Sequence, residues 1–474
     1  MKKISYIPLL AVAILLGTGC KKYFDINTDP NNPADVQENL LLVPTETAIA
    51  TTLSGGALTI GNYTSIDQVT AYWTQQTALN QLPPQNDVYR VRPDDMDQQW
   101  LTIYSTIFQN LQLLNNKAET HGNHAYGVIA KVLTAYTLGI VTDMHGDVPW
   151  SQALNGALHP VYDKQEDVYK TLHSILDSAI LESSLDPGLF TPGADEFIYG
   201  GDINLWKKFA YSLKARYYMH LTKAPGYDAA TQSGLVLTAL QNGFSSQAEE
   251  ASFAAYKGDA GSESPWYENI LPANGPVVLA STFVDFLKST NDPRLPLIAT
   301  QNTDGDYAGR VIGTDPAPDQ NVYSNINDFY GANNAPQSLL NYSEVLFLRA
   351  EAIFRISGAA AATPFYISAI KSHMHKLGLD TASAPVLAYI ATRSPLTAGN
   401  GIQRIMEEKS IANFLDIENF NDWRRTGFPA LSIVLNPYVP TIPRRFPYPL
   451  AEVTSNPQPQ QNLAITDRVW WDAP

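Results

Sequence analysis

Apolar side chains recur at spacings of three and four through the first half of this chain, and that rhythm limits it to helices packed on one another. Between residues 97 and 118 the stripe runs Trp100, Ile103, Tyr104, Ile107, Leu111 and Leu114, which a helix lines up on one face. Ile129, Leu133, Tyr136 and Ile140 form a second stripe within residues 126–141. Val168, Leu172, Ile175, Ala179 and Ile180 mark a third, and Trp206, Phe209, Leu213 and Tyr217 a fourth within 204–221. Short links between these runs imply paired neighbouring helices. No β-branched alternation is long enough to demand a major sheet. The expected fold class is therefore all-α, a scaffold of stacked helix pairs, although no clean repeat period is visible.

The texture changes over residues 243–335, where Gly, Pro, Asn and Asp are dense. This reads as long loops with one short helix near 277–287, and loops of such length usually carry function. Helical patterning returns at 338–357 and again, as a single run, at 402–420. From Pro429 onward the chain is proline-rich and reads as an irregular tail.

Composition narrows the function. The 474 residues are 45% hydrophobic and 16% charged, too apolar for a disordered chain. A formal net charge of −15 argues against sequence-independent nucleic-acid binding. Much of the polarity is amide instead: 31 Asn and 22 Gln, beside 8 Trp, 25 Tyr and 17 Phe. Rings and amides with few charges suit an uncharged polar ligand.

One cysteine rules out an intrachain disulfide or a Cys-based zinc site. It stands at Cys20, behind Lys2, Lys3 and an apolar run over residues 4–16. That run is shorter than the ~20 residues that span a bilayer, and no other stretch reads as a span. Leu16-Gly17-Thr18-Gly19-Cys20 resembles the lipobox of bacterial lipoproteins; the alternative is an ordinary secretory signal with a chance cysteine. The expected organisation is a signal peptide over 1–19, a lipid-anchored tether over 20–34, and one domain over 35–474.

Seven segments, in order, then carry a family resemblance. They are Asp25-Ile26-Asn27-Thr28-Asp29-Pro30-Asn31-Asn32-Pro33, Thr142-Asp143-Met144-His145-Gly146-Asp147-Val148-Pro149-Trp150, Asn204-Leu205-Trp206-Lys207-Lys208-Phe209, and Asp292-Pro293-Arg294-Leu295. Tyr342 to Ala352 (YSEVLFLRAEA), Asp422-Trp423-Arg424-Arg425-Thr426-Gly427 and Ile442-Pro443-Arg444-Arg445-Phe446-Pro447-Tyr448-Pro449 complete the set. The chain resembles the SusD/RagB family of Bacteroidetes outer-membrane lipoproteins from Cys20 to its end. The resemblance implies four tetratricopeptide-like helix pairs, with long loops carrying the ligand site. It also implies a lipid anchor at Cys20, a cell-surface location and a SusC-like TonB-dependent transporter as partner. The implied cargo is an oligosaccharide, or in some members a peptide, and no catalysis is expected.

Sugars stack their apolar faces on exposed rings while amides bond their hydroxyls. Rings in loop texture with amides nearby nominate Trp73, Tyr89, Trp266, Tyr267, Tyr323 and Asn325 as ligand-binding residues, with Asn327 and Tyr330 in the same stretch. Trp100 and Trp206 lie on helical stripes and read as core. No catalytic residue is nominated, because no segment pairs two carboxylates as a glycoside hydrolase would. Neither metal nor cofactor is expected: Asp143, His145 and Asp147 alternate, His373 and His375 flank Met374, and His121 and His124 stand three apart, but nothing in the sequence brings three or four ligands together in a fixed geometry. A calcium ion held by Asp304, Asp306, Asp315 and Asp319 is the one alternative. Arg424, Arg425, Arg444 and Arg445 are expected to tie the tail to helix ends through carbonyls and carboxylates.

Overall fold

The structure, a computed structural model, describes residues 36–53, 65–81, 86–271, 277–458 and 461–474. Its helices of eight residues or more are α1 (Glu38–Leu53), α2 (Ile66–Trp73), α3 (Gln109–His121), α4 (His124–His145), α5 (Gln165–Glu182), α6 (Ile203–His220) and α7 (Ala229–Ala239). After a long excursion come α8 (Ser281–Ser289), α9 (Tyr342–Ser357), α10 (Ala359–Lys376), α11 (Ala384–Arg393), α12 (Gly401–Ala412) and α13 (Glu418–Thr426). Asp97–Thr102 and a π-helical Ile103–Phe108 lead directly into α3.

Successive pairs stack on one another. α1 packs on α3, α3 on α4, α4 on α5, α5 and α4 on α6, α6 on α7, α7 on α9, and α9 on α10. The all-α fold expected from the stripes is therefore present. Side-chain caps start several of these helices: Asp202 accepts from Asn204 N at 2.9 Å, and Asn341 accepts from Glu344 N at 2.8 Å. Gly358, at φ 80°, turns α9 into α10. α4, 22 residues long, contains an 18-residue window apolar enough to cross a bilayer, yet 89% of that window is buried, as befits the central core helix. Its Gly139 lets α6 approach: a Cβ there would stand 2.2 Å from Tyr217 Oη, which donates to Ala135 O at 2.9 Å.

Strands are short. β1 (Thr77–Leu79) pairs with β5 (Val277–Leu279), β2 (Val148–Pro149) with β3 (Tyr162–Asp163), and β4 (Ala251–Phe253) with β6 (Gln337–Leu340), all antiparallel. The stretch 243–335 is thus less loop-like than its composition implies. The expected helix at 277–287 begins as β5 and becomes helical only at Ser281, because Val277–Leu279 pairs with β1 on one side while Leu279 N donates to Ser324 O and Leu279 O accepts from Arg310 N on the other. The expected single helix at 402–420 is broken between α12 and α13, where Leu415 adopts φ 67°. α10 and α11 were invisible to periodicity, since Gly358, Pro364 and Pro385 read as breakers.

α13 runs through the interior although its sequence is Glu-Asn-Phe-Asn-Asp-Trp-Arg-Arg-Thr. Every one of its charges meets a partner. Glu418 Oε2 lies 2.9 Å from His220 Nε2, and Asp422 Oδ2 lies 2.7 Å from Lys409 Nζ. Arg425 bonds both oxygens of Glu351, with Nη2 2.7 Å from Oε2, and Arg424 Nη1 donates to Asp143 O at 2.7 Å. The tail is bound in the same way. Arg444 Nη2 donates to Arg424 O at 2.8 Å, and Arg445 donates to His145 O at the end of α4. The arginines therefore tie the tail to helix ends, as the sequence implied.

Burial alone would raise the Glu351 carboxyl, but the Arg425 and Arg355 guanidiniums outweigh it and hold it down to about 2, against 4.5 for a free glutamate. Its contribution to stability is therefore complete above pH 4.5 and lost as pH falls towards 2. Arg425→Ala should cost about 3–5 kcal/mol in urea unfolding at neutral pH by stranding a buried carboxylate. The double replacement Arg425→Met with Glu351→Leu should cost clearly less.

Candidate functional site

A cleft of about 230 Å³ opens where the excursion between α7 and α9 folds back on the helical stack. β4 and β6 give it Ser252, Gln337 and Ser338, and the short helices Pro265–Ile270 and Asp328–Gly331 give Trp266, Phe329 and Tyr330. The turn between α12 and α13 supplies Asn413, Phe414, Leu415 and Asp416. That turn is left-handed at Leu415 and is closed by Asn419 Nδ2, which donates to Asn413 O at 2.6 Å.

The rings form a row. Phe329, 39% exposed, meets Tyr330 edge-on at 4.8 Å between centroids; Tyr330 meets Phe414 at 5.1 Å. Phe414 stacks on Phe283 at 4.9 Å. Tyr330 is held from behind by His373. Arg294 Nη1, which can only donate, lies 3.3 Å from His373 Nδ1, so His373 Nε2 carries the hydrogen and donates to Tyr330 Oη at 3.0 Å. Burial and the Arg294 charge keep that imidazole neutral.

The cleft's charges are mostly spoken for. Glu250 accepts from Lys376 Nζ at 2.6 Å and from Tyr342 N at 2.9 Å. Burial raises the Asp416 carboxyl, with the nearby Glu344 and Glu418 adding to the effect and Arg216 opposing it. Three other wall residues each hold a buried polar atom with no hydrogen-bond partner among the described residues: Trp266 Nε1, Ser338 Oγ and Asn413 Nδ2. Leaving such a group unpaired costs about 1–3 kcal/mol; all three atoms lie beneath the surface of the wall.

Of the residues nominated from sequence, Trp266 lines the cleft, as does Tyr330, named beside them; Trp266 itself is buried. Trp73 is a correction: it is fully buried, its Nε1 donates to Asn86 O at 3.1 Å, and Phe420 and Phe446 close on it edge-on. Tyr89 is also fully buried, at φ 68° beside Val434 N, and offers no face to a ligand. Tyr267 is half-buried on the helix that carries Trp266, outside the cleft wall. Tyr323 packs against the core, and Asn325 uses its amide to hold Ile270 O at 3.0 Å. Cys20 lies outside the described residues. Sequence reading missed Phe329, Gln337, Ser338, Asn413 and Phe414. The signal was present in Ala412-Asn413-Phe414-Leu415-Asp416, amide and ring together, but a helical period was laid over it.

Several of the residues weighed as ion ligands bond other protein groups. Asp143, His220 and Glu418 bring ligand atoms within 4.8 Å of one another. Burial would lower the His220 pKa, but the carboxylates of Glu418 and Asp143 raise it to about 9. Tyr169 Oη and Trp471 Nε1 both donate to Asp143 Oδ1. His145 packs against Trp100, Phe446 and Tyr448, and Asp147 accepts from Gln165 N at 2.9 Å. In the acidic loop, Asp306 pairs with Lys288 at 3.0 Å. A second cavity, about 590 Å³, lies between residues 36–39, α3 and residues 189–195; there Glu38 is taken by His121 and Asn123, and Tyr126 by Asp195.

Comparison with known proteins now bears on this architecture. Residues 30–449 match the SusD-like family model described as "Starch-binding associating with outer membrane". The chain belongs to the SusD-like family. Among solved structures, this SusD-like chain is similar to a chitin-binding protein at 22% identity, with TM-score 0.78 over 92% of this chain and all of that one. A SusD/RagB family protein from Bacteroides thetaiotaomicron gives 23% identity and TM-score 0.76, over 92% of this chain and 99% of that one. A chitin-binding SusD homolog from Flavobacterium johnsoniae gives 20% and 0.77, over 92% and 98%. At these identities the likeness is one of fold. A comparison with curated protein sequences gave no match.

Trp73→Ala should lower unfolding stability by about 3–5 kcal/mol, the cost of a large core cavity. Ligand affinity of the folded fraction, measured at low temperature, should not change.

Proposed function

We propose that this SusD-like protein captures a neutral oligosaccharide in the cleft and passes it, without chemistry, to a SusC-like TonB-dependent transporter in the outer membrane. The observation that carries the reading is the cleft wall itself. A ring row whose outermost member, Phe329, is exposed stands beside Gln337, Ser338 and Asn413, the pairing of flat apolar faces with amide and hydroxyl groups that sugars require. The family description and the chitin-binding descriptions of two neighbours both concern neutral glycans. Lack of chemistry fits the two acids on the wall: Glu250 is neutralised by Lys376, leaving Asp416 without the second free carboxylate that glycoside hydrolysis uses.

Cys20, acylated after removal of residues 1–19, is the proposed anchor. Each buried acyl methylene contributes about 0.8 kcal/mol, so more than one chain on that residue holds the protein firmly on the membrane. The cell-surface face and the transporter follow from the same family reading.

Phe329→Ala should weaken binding of the cognate oligosaccharide about tenfold in calorimetry, with only a small fall in the thermal midpoint because Phe329 is the exposed end of the ring row. Unchanged affinity, or binding of peptides in place of glycans, contradicts the assignment. In cells, Cys20→Ser should remove acyl labelling and move the protein out of the membrane fraction; retention with the membrane contradicts the anchor.

A further inference from the structure

We propose that the loop tip Leu189-Phe190 seats in the interface of a neutral lipid surface, so that acylated Cys20 and this tip together hold the folded chain on the membrane in one orientation; this rests on the anchor reading above. Pro187 to Pro192 (Pro-Gly-Leu-Phe-Thr-Pro) carries no charge, and it turns two large apolar side chains outward. Leu189 is 95% exposed and Phe190 66%. A single exposed leucine needs no explanation. Two consecutive ones on a pinned loop do, because the backbone holds them out of the core. Ala125 N donates to Pro187 O at 3.1 Å, Gly188 N to Asp186 Oδ1 at 3.0 Å, and Phe190 N to Asn123 Oδ1 at 3.2 Å.

The tip stands where the tether meets the domain. Asn123 makes the link: its Oδ1 holds Phe190 N, while its Nδ2 donates at 2.8 Å to Glu38 Oε1, at the start of α1. Val36 and Gln37, just ahead of α1, line the same cavity as Leu189 and Phe190. Val36 lies 16 residues past Cys20, a reach of at most about 55 Å. An anchored chain therefore keeps the tip near the bilayer, where a weak contact is effective because it forms within one tethered molecule. The occupant follows from what the tip offers and lacks. Two side chains fall far short of the ~800 Å² per partner that a stable protein interface buries, whereas the bilayer interface takes up apolar side chains without a shaped partner. Nearby charges are engaged within the protein: Glu38 with His121 and Asn123, and Asp195 with Tyr126. A net charge of −15 disfavours attraction to an anionic surface, so the contact is apolar and insensitive to salt.

A fluorophore on Thr191→Cys, exposed beside the tip, tests this on phosphatidylcholine vesicles doped with a lipid quencher at interfacial depth. Two forms are compared: the acylated lipoprotein, and the chain 21–474 held by an N-terminal hexahistidine on nickel-chelating vesicles. The same label on Ala398→Cys, an exposed site in the loop before α12, is the control. The tip label should be quenched about threefold more than the control in both forms, at low and high salt alike. Leu189→Ser with Phe190→Ser should abolish that difference while the protein stays folded and on the vesicles. Equal quenching at the two sites on the tagged vesicles overturns the inference, as does quenching that survives the double replacement. Shielding of the tip only when the SusC-like transporter is reconstituted alongside assigns it to a protein partner and overturns the lipid contact. A lipoprotein that does not float with vesicles, beside a tagged chain whose tip is quenched, removes the anchor reading and leaves the tip contact standing.

Discussion

Helix α13 carries Glu418, Asp422, Arg424 and Arg425 into the interior, and each of them must meet opposite charge or a carbonyl there. Burying an ionised group without a partner costs several kcal/mol, so such a helix has one stable seat. The seat is built from three other helices. α6 offers His220, α9 offers Glu351 and α12 offers Lys409. Arg216 of α6 bonds both oxygens of Glu344 of α9, at 2.8 and 2.7 Å, and thereby locks two of those helices together. Replacing such pairs by apolar residues can leave stability unharmed; what they supply is a single allowed register.

That register sets the cleft. The turn between α12 and α13 is pinned at one end by Lys409 and at the other by Glu418, so Asn413, Phe414 and Asp416 have no freedom to withdraw from the wall. A second buried network does the same for the rings. Arg294 bonds Asp292 and Glu408 at 2.6 Å each and touches His373, which in turn holds Tyr330. The recognition surface is thus mounted on charge networks and not on loop packing alone. This accounts for a chain poor in charge overall that still places so many of its charges in the core.

The fold was legible where one helix face is apolar. The stripes of Trp100 to Leu114 and Trp206 to Tyr217 gave the stacked pairs directly, and each of those tryptophans is core. α13 was partly hidden because a buried helix made of Glu, Asn, Asp and Arg has no apolar stripe to find. Five of the seven motifs that carried the family resemblance supply the electrostatics: Asp143, Asp292, Arg294, Glu344, Glu351, Asp422, Arg424, Arg425 and Arg445 are buried charges, with Arg444 at their edge. The site was much less legible. Trp73 and Tyr89 looked like binding rings because amides surround them in sequence, yet those amides face inward with them. Trp266 was found by the same reasoning. What separates the three is tertiary packing, since only the helix 265–270 is brought against β6 and the turn at 413–416.

The central claim is that this turn, β6 and the short helices form the ligand surface. Hydrogen–deuterium exchange with and without saturating oligosaccharide reads that claim segment by segment. Protection on binding should concentrate in residues 265–270, 328–338 and 412–416. Protection confined to residues 36–39, 117–126 and 189–195, the walls of the larger cavity, would contradict it.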